Sequence, residues 1–370
     1  MSSRNEISAL LAGRIAAGDF PSAVYLVAEA GRVALSDALG HAVTEPYERR
    51  AATPDTIYDL ASLTKPLVTG LLCARLIESR ELALRREVGF YLPEFDLSGK
   101  RAITVGQLLT HTSGLPAWRP LYIEAEDSAA VLRVIAEQPL ESAPGTRVCY
   151  SDLGFITLGL LIEKLAGGRR LSEIARREIF EPLGLKRTFF NPEAALRGWV
   201  AACETGNSFE REMCRELKAG EHARWREHLI WGEVHDGNAH FLGGAAGHAG
   251  LFSTAPETFR LAQQFTPQTT QLLRPETCAL FRTNMTEGLE EARSLAWQLA
   301  ATPGSTAGPS LASDSFGHTG FTGTSCWIEP ERERVFILLT NRTHAAPLPF
   351  VNINSVRRSF HTLAVAALEK

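Results

Sequence analysis

Lysine is scarce in this chain. Arginine supplies most of the 38 basic residues, and lysine stands only at positions 65, 100, 164, 186, 218 and 370. Positive charge is not in excess either. The formal net charge is −4 and the isoelectric point about 6.2, so no electrostatic footprint for nucleic acid exists. No stretch approaches the ~20 apolar residues of a membrane span, and no membrane partner is expected. The start, Met1-Ser2-Ser3-Arg4-Asn5-Glu6-Ile7, lacks the charged opening and apolar run of a signal peptide, so a cytoplasmic location is expected. The six cysteines (73, 149, 203, 214, 278, 326) form no CxxC pair. Cys73, Cys149 and Cys326 lie in apolar runs, where buried free thiols are the rule, and no disulfide is expected. There is no internal repeat. Gly243-Gly244-Ala245-Ala246-Gly247 lacks the Gly-Lys-Ser/Thr ending of a phosphate loop.

What remains suits a globular enzyme. The chain has 370 residues, 45% hydrophobic and 22% charged, enough for a sizeable core in one or two domains. The scarcity of lysine gives weight to Ser62-Leu63-Thr64-Lys65, because no other lysine has a serine three positions before it. On a helix, residues i and i+3 share a face. A serine hydroxyl is a poor nucleophile until a base takes its proton, and a desolvated lysine can be that base. A helix start adds backbone N–H groups that favour negative charge. The plain alternative is a helix cap beside a solvated lysine. An apolar run on each side places the motif at a buried junction instead.

The pattern along the chain reads as an α/β layer with a helical insert. Residues 5–17 form an amphipathic helix. Ala23–Ala28 and Val33–Ala38 flank a Gly31-Arg32 turn as a hairpin does. A helix runs from Ser62 to about Glu78, and more helix is predicted over 104–110, 128–137, 152–166 and 171–182. Residues 190–245 read as irregular. Thr254 caps a helix over 256–265, and another covers about 274–283. Residues 301–315 form a small-residue loop expected to be mobile. Gly323–Ile328 and Arg334–Asn341 read as strands, and the last helix covers 352–368. Strands at both ends place residues 1–60 and 245–370 in one α/β sheet domain. Residues 61–244 then form a mainly helical domain, with the site at the junction.

Two more motifs stand where they can complete a site. Tyr150-Ser151-Asp152 precedes the apolar run Leu153–Gly159. A tyrosine there can present its hydroxyl to a cleft, and a nearby cation would lower its pKa. The plain alternative is a packed tyrosine with Asp152 as helix cap. His318-Thr319-Gly320 precedes a strand. Its glycine lets a substrate approach the strand edge. The plain alternative is a Gly-rich turn.

Together these motifs resemble the serine β-lactamase/penicillin-binding protein superfamily in order and approximate spacing. The chain is similar to its class C-like branch, which includes class C β-lactamases, D-alanyl-D-alanine peptidases and family VIII carboxylesterases. Leu108–Pro116 and Gly244–Thr254 also look like stretches of that branch. The resemblance spans nearly the whole chain. It implies an antiparallel sheet flanked by helices plus a helical domain. It also implies Ser62 as nucleophile, Lys65 as activating amine and Tyr150 as proton shuttle. The oxyanion hole would be the N–H groups of Ser62 and Phe321. Asp152, His318, Thr319 and Gly320 would face the substrate. The implied reaction is acyl transfer to water, with no metal and no organic cofactor.

Two positions depart from the commonest pattern of that family. His318 stands where lysine is usual. Its reference pKa is near 6.5, so its grip on an anionic substrate is expected to weaken as pH rises. Asp152 stands where asparagine is usual. An ionised aspartate offers no N–H donor, which argues against efficient β-lactam or peptide recognition and fits an ester or unusual amide. Beside Lys65, it would raise the lysine pKa, and Lys65 would hold down that of Tyr150.

Other polar residues carry less. His235-Asp236, His240 and His248 match no metal-ligand spacing and are expected in a structured loop near the cleft. His111 reads as a hydrogen-bonded structural histidine, and the Glu210-to-Glu221 charge run as a solvated face. Three functions follow in order. The first is an intracellular serine hydrolase acting on a small ester or amide. The second is a D-amino-acid peptidase or β-lactamase acting on cell-wall fragments or β-lactams. The third is a non-catalytic binding protein with this fold. Acyl group, leaving group and oligomeric state are not encoded in any motif.

Overall fold

In the computed structural model, residues 3–96, 100–220 and 225–370 are described. The strands are β1 (Ser22–Glu29), β2 (Arg32–Val43), β3 (Arg50–Ala51), β4 (Tyr58–Asp59), β5 (Phe189–Phe190), β6 (Leu251–Ser253), β7 (Gln298–Leu299), β8 (Phe316–Thr319), β9 (Ser325–Glu329) and β10 (Arg334–Thr340). Seven of them make one antiparallel sheet in the order β3-β2-β1-β10-β9-β8-β7. The β1–β2 hairpin turns at Ala30 and Gly31, both with positive φ (48° and 74°), which matches the right-handed twist of the strands. β1 pairs with β10 from Ala23↔Thr340 to Glu29↔Arg334, so the two ends of the chain share the sheet.

Both faces of the central strands are buried, and alternation sorts their side chains into two cores. Val24, Leu26 and Ala28 of β1, Val335, Ile337 and Leu339 of β10, and Ile328 of β9 face the larger core. That core holds the apolar faces of the helices Asp152–Leu165, Leu71–Glu78 and Ala255–Ala262. Tyr25, Val27, Phe336, Leu338 and Trp327 point the other way, against Ile7 and Leu11 of the first helix (Ser3–Ala16) and Val356 and Phe360 of the last (Asn354–Leu368). No helix among the described residues is long and apolar enough to cross a membrane.

Most expected elements are present, and the departures have physical causes. The stretch from Ser62 is not one regular helix. It is a 3₁₀ turn (Ala61–Leu63), a π-helical segment (Lys65–Gly70) with Pro66 at its start, and then an α-helix (Leu71–Glu78). Residues 190–245 are not wholly irregular, since Ser208–Glu216 and Gly237–Phe241 are helical. The first of these is short and highly charged, with only Phe209, Met213 and Cys214 as its apolar side. His318-Thr319 precedes a strand as expected, β9, and also ends one that the sequence did not mark, β8. Residues 301–315 lack regular structure as expected, yet they are pinned. The Trp327 indole N–H and His361 Nδ1 bond to Thr306, at 3.2 and 2.9 Å, and the Ala312 N–H donates to Glu329. Thr254 caps the next helix through Glu257 N. All six cysteines are free, with Cys149 half-buried rather than buried.

A second, three-stranded sheet (β4-β6-β5) positions the site. It lays residues 58–65 beside 247–253: Leu60 N–H donates to Leu251 O (2.8 Å), and Leu251 N–H to Thr64 Oγ1 (3.1 Å). The helix Asp152–Leu165 crosses this junction at Gly159, directly against Gly247. Added Cβ atoms would collide there: one at Gly247 with the Phe155 carbonyl oxygen, one at Gly159 with the Gly247 amide. The Gly247 carbonyl is held by Thr69 Oγ1 at 2.7 Å. Gly247→Ala should therefore destabilise the fold by about 1–3 kcal/mol, the usual cost of overpacking. Thermal melting checks this, and an unchanged melting temperature would contradict the crossing.

Candidate active site

Ser62 is presented on a constrained turn. Ala61, just before it, has φ of 47°, a left-handed value unusual for a residue with a side chain. The buried Asp59 holds this conformation: Oδ1 accepts from Ala61 N–H and Oδ2 from His235 N–H, each at 2.8 Å. One turn later comes Lys65, which is wholly buried. Its Nζ donates to Ser62 Oγ (2.9 Å) and to the His248 carbonyl (3.2 Å), and forms an ion pair with Asp152 Oδ1 at 2.6 Å. With the Tyr150 hydroxyl, four oxygen groups surround the three hydrogens of the ammonium. Burial is the largest single effect and opposes the charge, but Asp152 and Tyr150 together outweigh it, and the Lys65 pKa stands above its ordinary value.

Tyr150 completes the group. Its ring lies 4.9 Å below Lys65 Nζ, and its hydroxyl bonds to Lys65 and Ser62. His111 stacks on one side of the ring at 4.5 Å, and His318 lies 5.7 Å away. His111 Nδ1 accepts from Ser151 N–H at 3.0 Å, the structural role expected for it. Burial and the nearby Arg293 and Lys65 cations keep that imidazole neutral. Lys65 does pull the Tyr150 pKa down, as expected, but this does not leave a phenolate. Burial is the larger effect, and the phenol pKa is raised. The cap alternative for Asp152 fails too. Ser151 is the cap, accepting from Gly154 N–H (3.2 Å), which leaves the Asp152 carboxylate to Lys65.

The third motif closes the far side. Thr322 Oγ1 donates to Asp59 O (2.8 Å) and Thr324 Oγ1 to Leu60 O (3.0 Å), fastening the turn after β8 to the serine turn. Gly320 sits between them, and a Cβ there would run into Leu60 O and Thr324 Oγ1. Two arginines clamp the same turn from outside. Arg357 Nη2 donates to Gly320 O and Thr324 O, both at 2.9 Å, and Arg342 Nη2 to Phe321 O at 2.6 Å. The Phe321 N–H has no acceptor among the described residues. His318 departs from expectation. Its Nδ1–H donates to the Thr319 carbonyl at 2.8 Å. Burial, Lys65 and Arg293 hold its pKa well below the usual imidazole range, so it is neutral.

These residues line a cavity of about 890 Å³. Ser62, Tyr150, Asp152, His318, Thr319, Gly320 and Phe321 all reach it, and Lys65 lies beneath. Other walls carry no motif and were not foreseen. Phe209, Phe321 and Phe350 cluster with ring centroids 4.7–5.9 Å apart. Arg342 and Arg357 meet no carboxylate among the described residues. Burial pushes their pKa values down to about 10 and about 9. They follow β10 or lie on the last helix, where a sequence shows only an arginine among many.

The loop with His235, Asp236 and His248 does reach the cleft. His235 Nε2 bonds to Glu204 Oε1, and His248 Nε2 to Asp236 Oδ1, both at 2.9 Å. Burial opposes the charge on Asp236, but His248 prevails and the carboxyl pKa is low. His240 stays outside this group, half-exposed near Glu233. Ligand atoms of Asp152, Asp236 and His248 lie within 4.8 Å of one another. The Lys65 ammonium already fills the cation position beside Asp152, so this donor set does not favour a metal. The charge run from Glu210 is solvated at Glu212, Arg215, Glu216 and Lys218, as expected, but not at its first residue. Glu210 is buried in the cavity wall, accepting from Gly237 N–H at 2.7 Å, and Glu221 lies outside the described residues.

A family model described as Beta-lactamase matches residues 7–357. A putative D-alanyl-D-alanine carboxypeptidase of Escherichia coli (strain K12) is 32% identical over 320 residues, covering 80% of this chain and 71% of that protein. N-acetylmuramyl-L-alanine amidase of Bacillus subtilis (strain 168) is 31% identical over 366 residues, covering 89% and 79%. Among solved structures, EstCE1, a hydrolase with promiscuous acyltransferase activity, aligns with a TM-score of 0.74 at 21% identity, over 100% of this chain and 99% of that one. A class C β-lactamase gives 0.74 at 19%, over 100% and 96%. At these identities the structural likenesses establish the fold.

Two outcomes follow from the charges. Burial and Asp236 raise the Glu210 pKa from 4.5 to about 7. The folded state therefore binds this proton more tightly than the unfolded one. Its stabilising effect is full below pH ~4.5 and is lost as pH rises to about 7. Glu210→Gln should raise the melting temperature at pH 8, by ~3 kcal/mol in stability, and much less at pH 5. Equal shifts at both pH values would refute the buried charge. A neutral His318 also predicts parallel KM–pH curves for acidic and neutral substrates from pH 6 to 8. Read in the Glu210→Gln background, which removes the other group titrating near pH 7 in the cavity wall, a weakening for acidic substrates alone would show that His318 titrates.

Proposed function

The chain belongs to the Beta-lactamase family, and on that premise we propose that it is a serine hydrolase forming an acyl-enzyme on Ser62 with a small ester or amide. The observation that carries this reading is the contact of Ser62 Oγ with a fully buried Lys65 Nζ at 2.9 Å, at the wall of a cavity. Ser62 attacks the carbonyl carbon, and the N–H groups of Ser62 and Phe321 receive the oxyanion. The arginine clamp on the carbonyls of Gly320 and Phe321 supports this role, because it fixes the turn and leaves the Phe321 N–H free to donate. Thr319 and His318 face the substrate from β8, His318 as a neutral hydrogen-bonding group. Water then repeats the attack on the acyl-enzyme.

The cavity favours a substrate of mixed character. Arg342 and Arg357 suit a carboxylate, and the three phenylalanines suit an apolar part. Asp152 offers acceptors only, which supports esters over penicillin-like amides. A second reading, an amidase or D-amino-acid peptidase acting on wall fragments, is favoured by the names of the curated relatives. The same arginines would hold a peptide's terminal carboxylate. A purely binding protein has no use for a buried lysine held on a serine.

A fluorophosphonate should add one adduct to the wild type by intact-mass spectrometry and none to Ser62→Ala. Labelling of that variant, or its undiminished turnover, would remove Ser62 as nucleophile. Lys65→Ala and Tyr150→Phe should each lower ester turnover by about 10²–10⁴-fold, and the double variant by little more. p-Nitrophenyl esters, nitrocefin and D-Ala-D-Ala peptides assayed side by side separate the two substrate readings.

A further inference from the structure

We propose that Asp152 is the terminal proton acceptor of the site, taking a proton from Lys65 as Lys65 takes one from Ser62. The proposal rests on the acyl-enzyme reading above and concerns where the serine proton ends. An ammonium has no lone pair for the hydroxyl, so Lys65 can receive a proton only as it gives one away. Its oxygen neighbours are Ser62 Oγ, the His248 carbonyl, the Tyr150 hydroxyl and Asp152 Oδ1. The carbonyl is not basic. The phenol already carries its proton and is held protonated by burial. Asp152, at 2.6 Å, is the one carboxylate in contact with the amine among the described residues, and it has no duty as a helix cap.

The surroundings favour this transfer. The groups facing Asp152 are Lys65 from the π-helical segment, Tyr150 two residues before it, and Asp236 and His248 across the cleft. Asp236 and His248 pair with each other at 2.9 Å. A ligand atom of the Asp236 carboxylate lies within 4.8 Å of one of Asp152, so the two carboxylates and the Lys65 amine form one compact group. Arg293 and His318 lie 5.6 and 5.7 Å from the Tyr150 ring centre and make no ion pair or hydrogen bond with the Asp152 carboxylate.

The step balances. The Ser62 O–H bond breaks and its proton joins Lys65 Nζ, while one Nζ–H proton moves to Asp152 Oδ1. The Ser62 Oγ pair forms the bond to the carbonyl carbon, and the carbonyl π pair moves onto oxygen. When the intermediate collapses, the leaving group departs with its bonding pair and takes the Tyr150 hydroxyl proton. The Asp152 proton returns through Lys65 to Tyr150. Water enters deacylation by the same route.

The test is the rate of Ser62 acylation by a fluorophosphonate and by p-nitrophenyl acetate, read against pH. Wild-type labelling at Ser62 is the precondition, so its failure would sink the functional reading rather than this one. Asp152→Asn should acylate at least ~100-fold more slowly at pH 7, in the range of a lost general base, and its residual rate should climb with pH. Asp152→Glu should recover at least a tenfold part of that loss. An Asn variant as fast as wild type, or faster, would overturn the proposal. That is the outcome if Asp152 merely keeps Lys65 charged, because removing the anion frees the amine. A Glu variant that melts like wild type yet gains nothing over Asn also counts against it. The wild type gives an independent reading. Its acylation rate should be flat from pH 6 to 9, and a continued alkaline rise would mark deprotonation of Lys65 or Tyr150 as the activating step.

Discussion

One buried ammonium governs the arrangement of this site. Lys65 sits in a protein interior that disfavours its charge, and the cost of leaving it uncompensated would be several kcal/mol. Its partners are therefore fixed as firmly as it is. Asp152 must stay within contact, which sets the start of the helix Asp152–Leu165. The His248 carbonyl must point inward, which sets the loop before β6. Ser62 must stand one turn away, on a turn whose φ of 47° at Ala61 is held by Asp59. The Gly159–Gly247 crossing exists because two backbones have to approach the same amine from different directions.

A second layer of charge surrounds the first. On the cavity's Arg side, Arg342 and Arg357 spend most of their hydrogen bonds on the carbonyls of the turn after β8 and keep a positive field without a carboxylate. Asp59, Glu204, Asp236 and Glu210 are grouped with His235, His248 and the Lys65 ammonium. The cavity lining thus carries Asp236 and Glu210 as well as Arg342 and Arg357, with phenylalanine rings among them. Charges of both signs in one cavity orient a polar substrate before chemistry begins, because displaced water no longer screens them.

The fold supplies rigidity where this charge pattern needs it. β1 and β10 are buried on both faces, and the first and last helices cover the outer side of the sheet. β8 is thereby held as a fixed edge for the cavity. The irregular stretch 301–315 is tied down by Thr306 and Glu329, and it forms part of the cavity wall rather than a loose flap.

The sequence by itself determined the elements and residues whose signal is local. Ser62, Lys65, Tyr150 and the His318-Thr319-Gly320 triplet lie in short motifs, and period-2 and period-3.6 patterns marked β1, β2, β10 and the longer helices. Tertiary structure alone decided three things. It turned Glu210 into the cavity wall and set the pairings Asp236–His248 and Glu204–His235, because such contacts join residues far apart in the chain. It selected Arg342 and Arg357 from 38 basic residues, because only burial without a carboxylate distinguishes them. It also set the protonation of His318 and Tyr150. A residue type fixes the reference pKa, but the sign of the shift depends on how much water folding removes and which charges replace it.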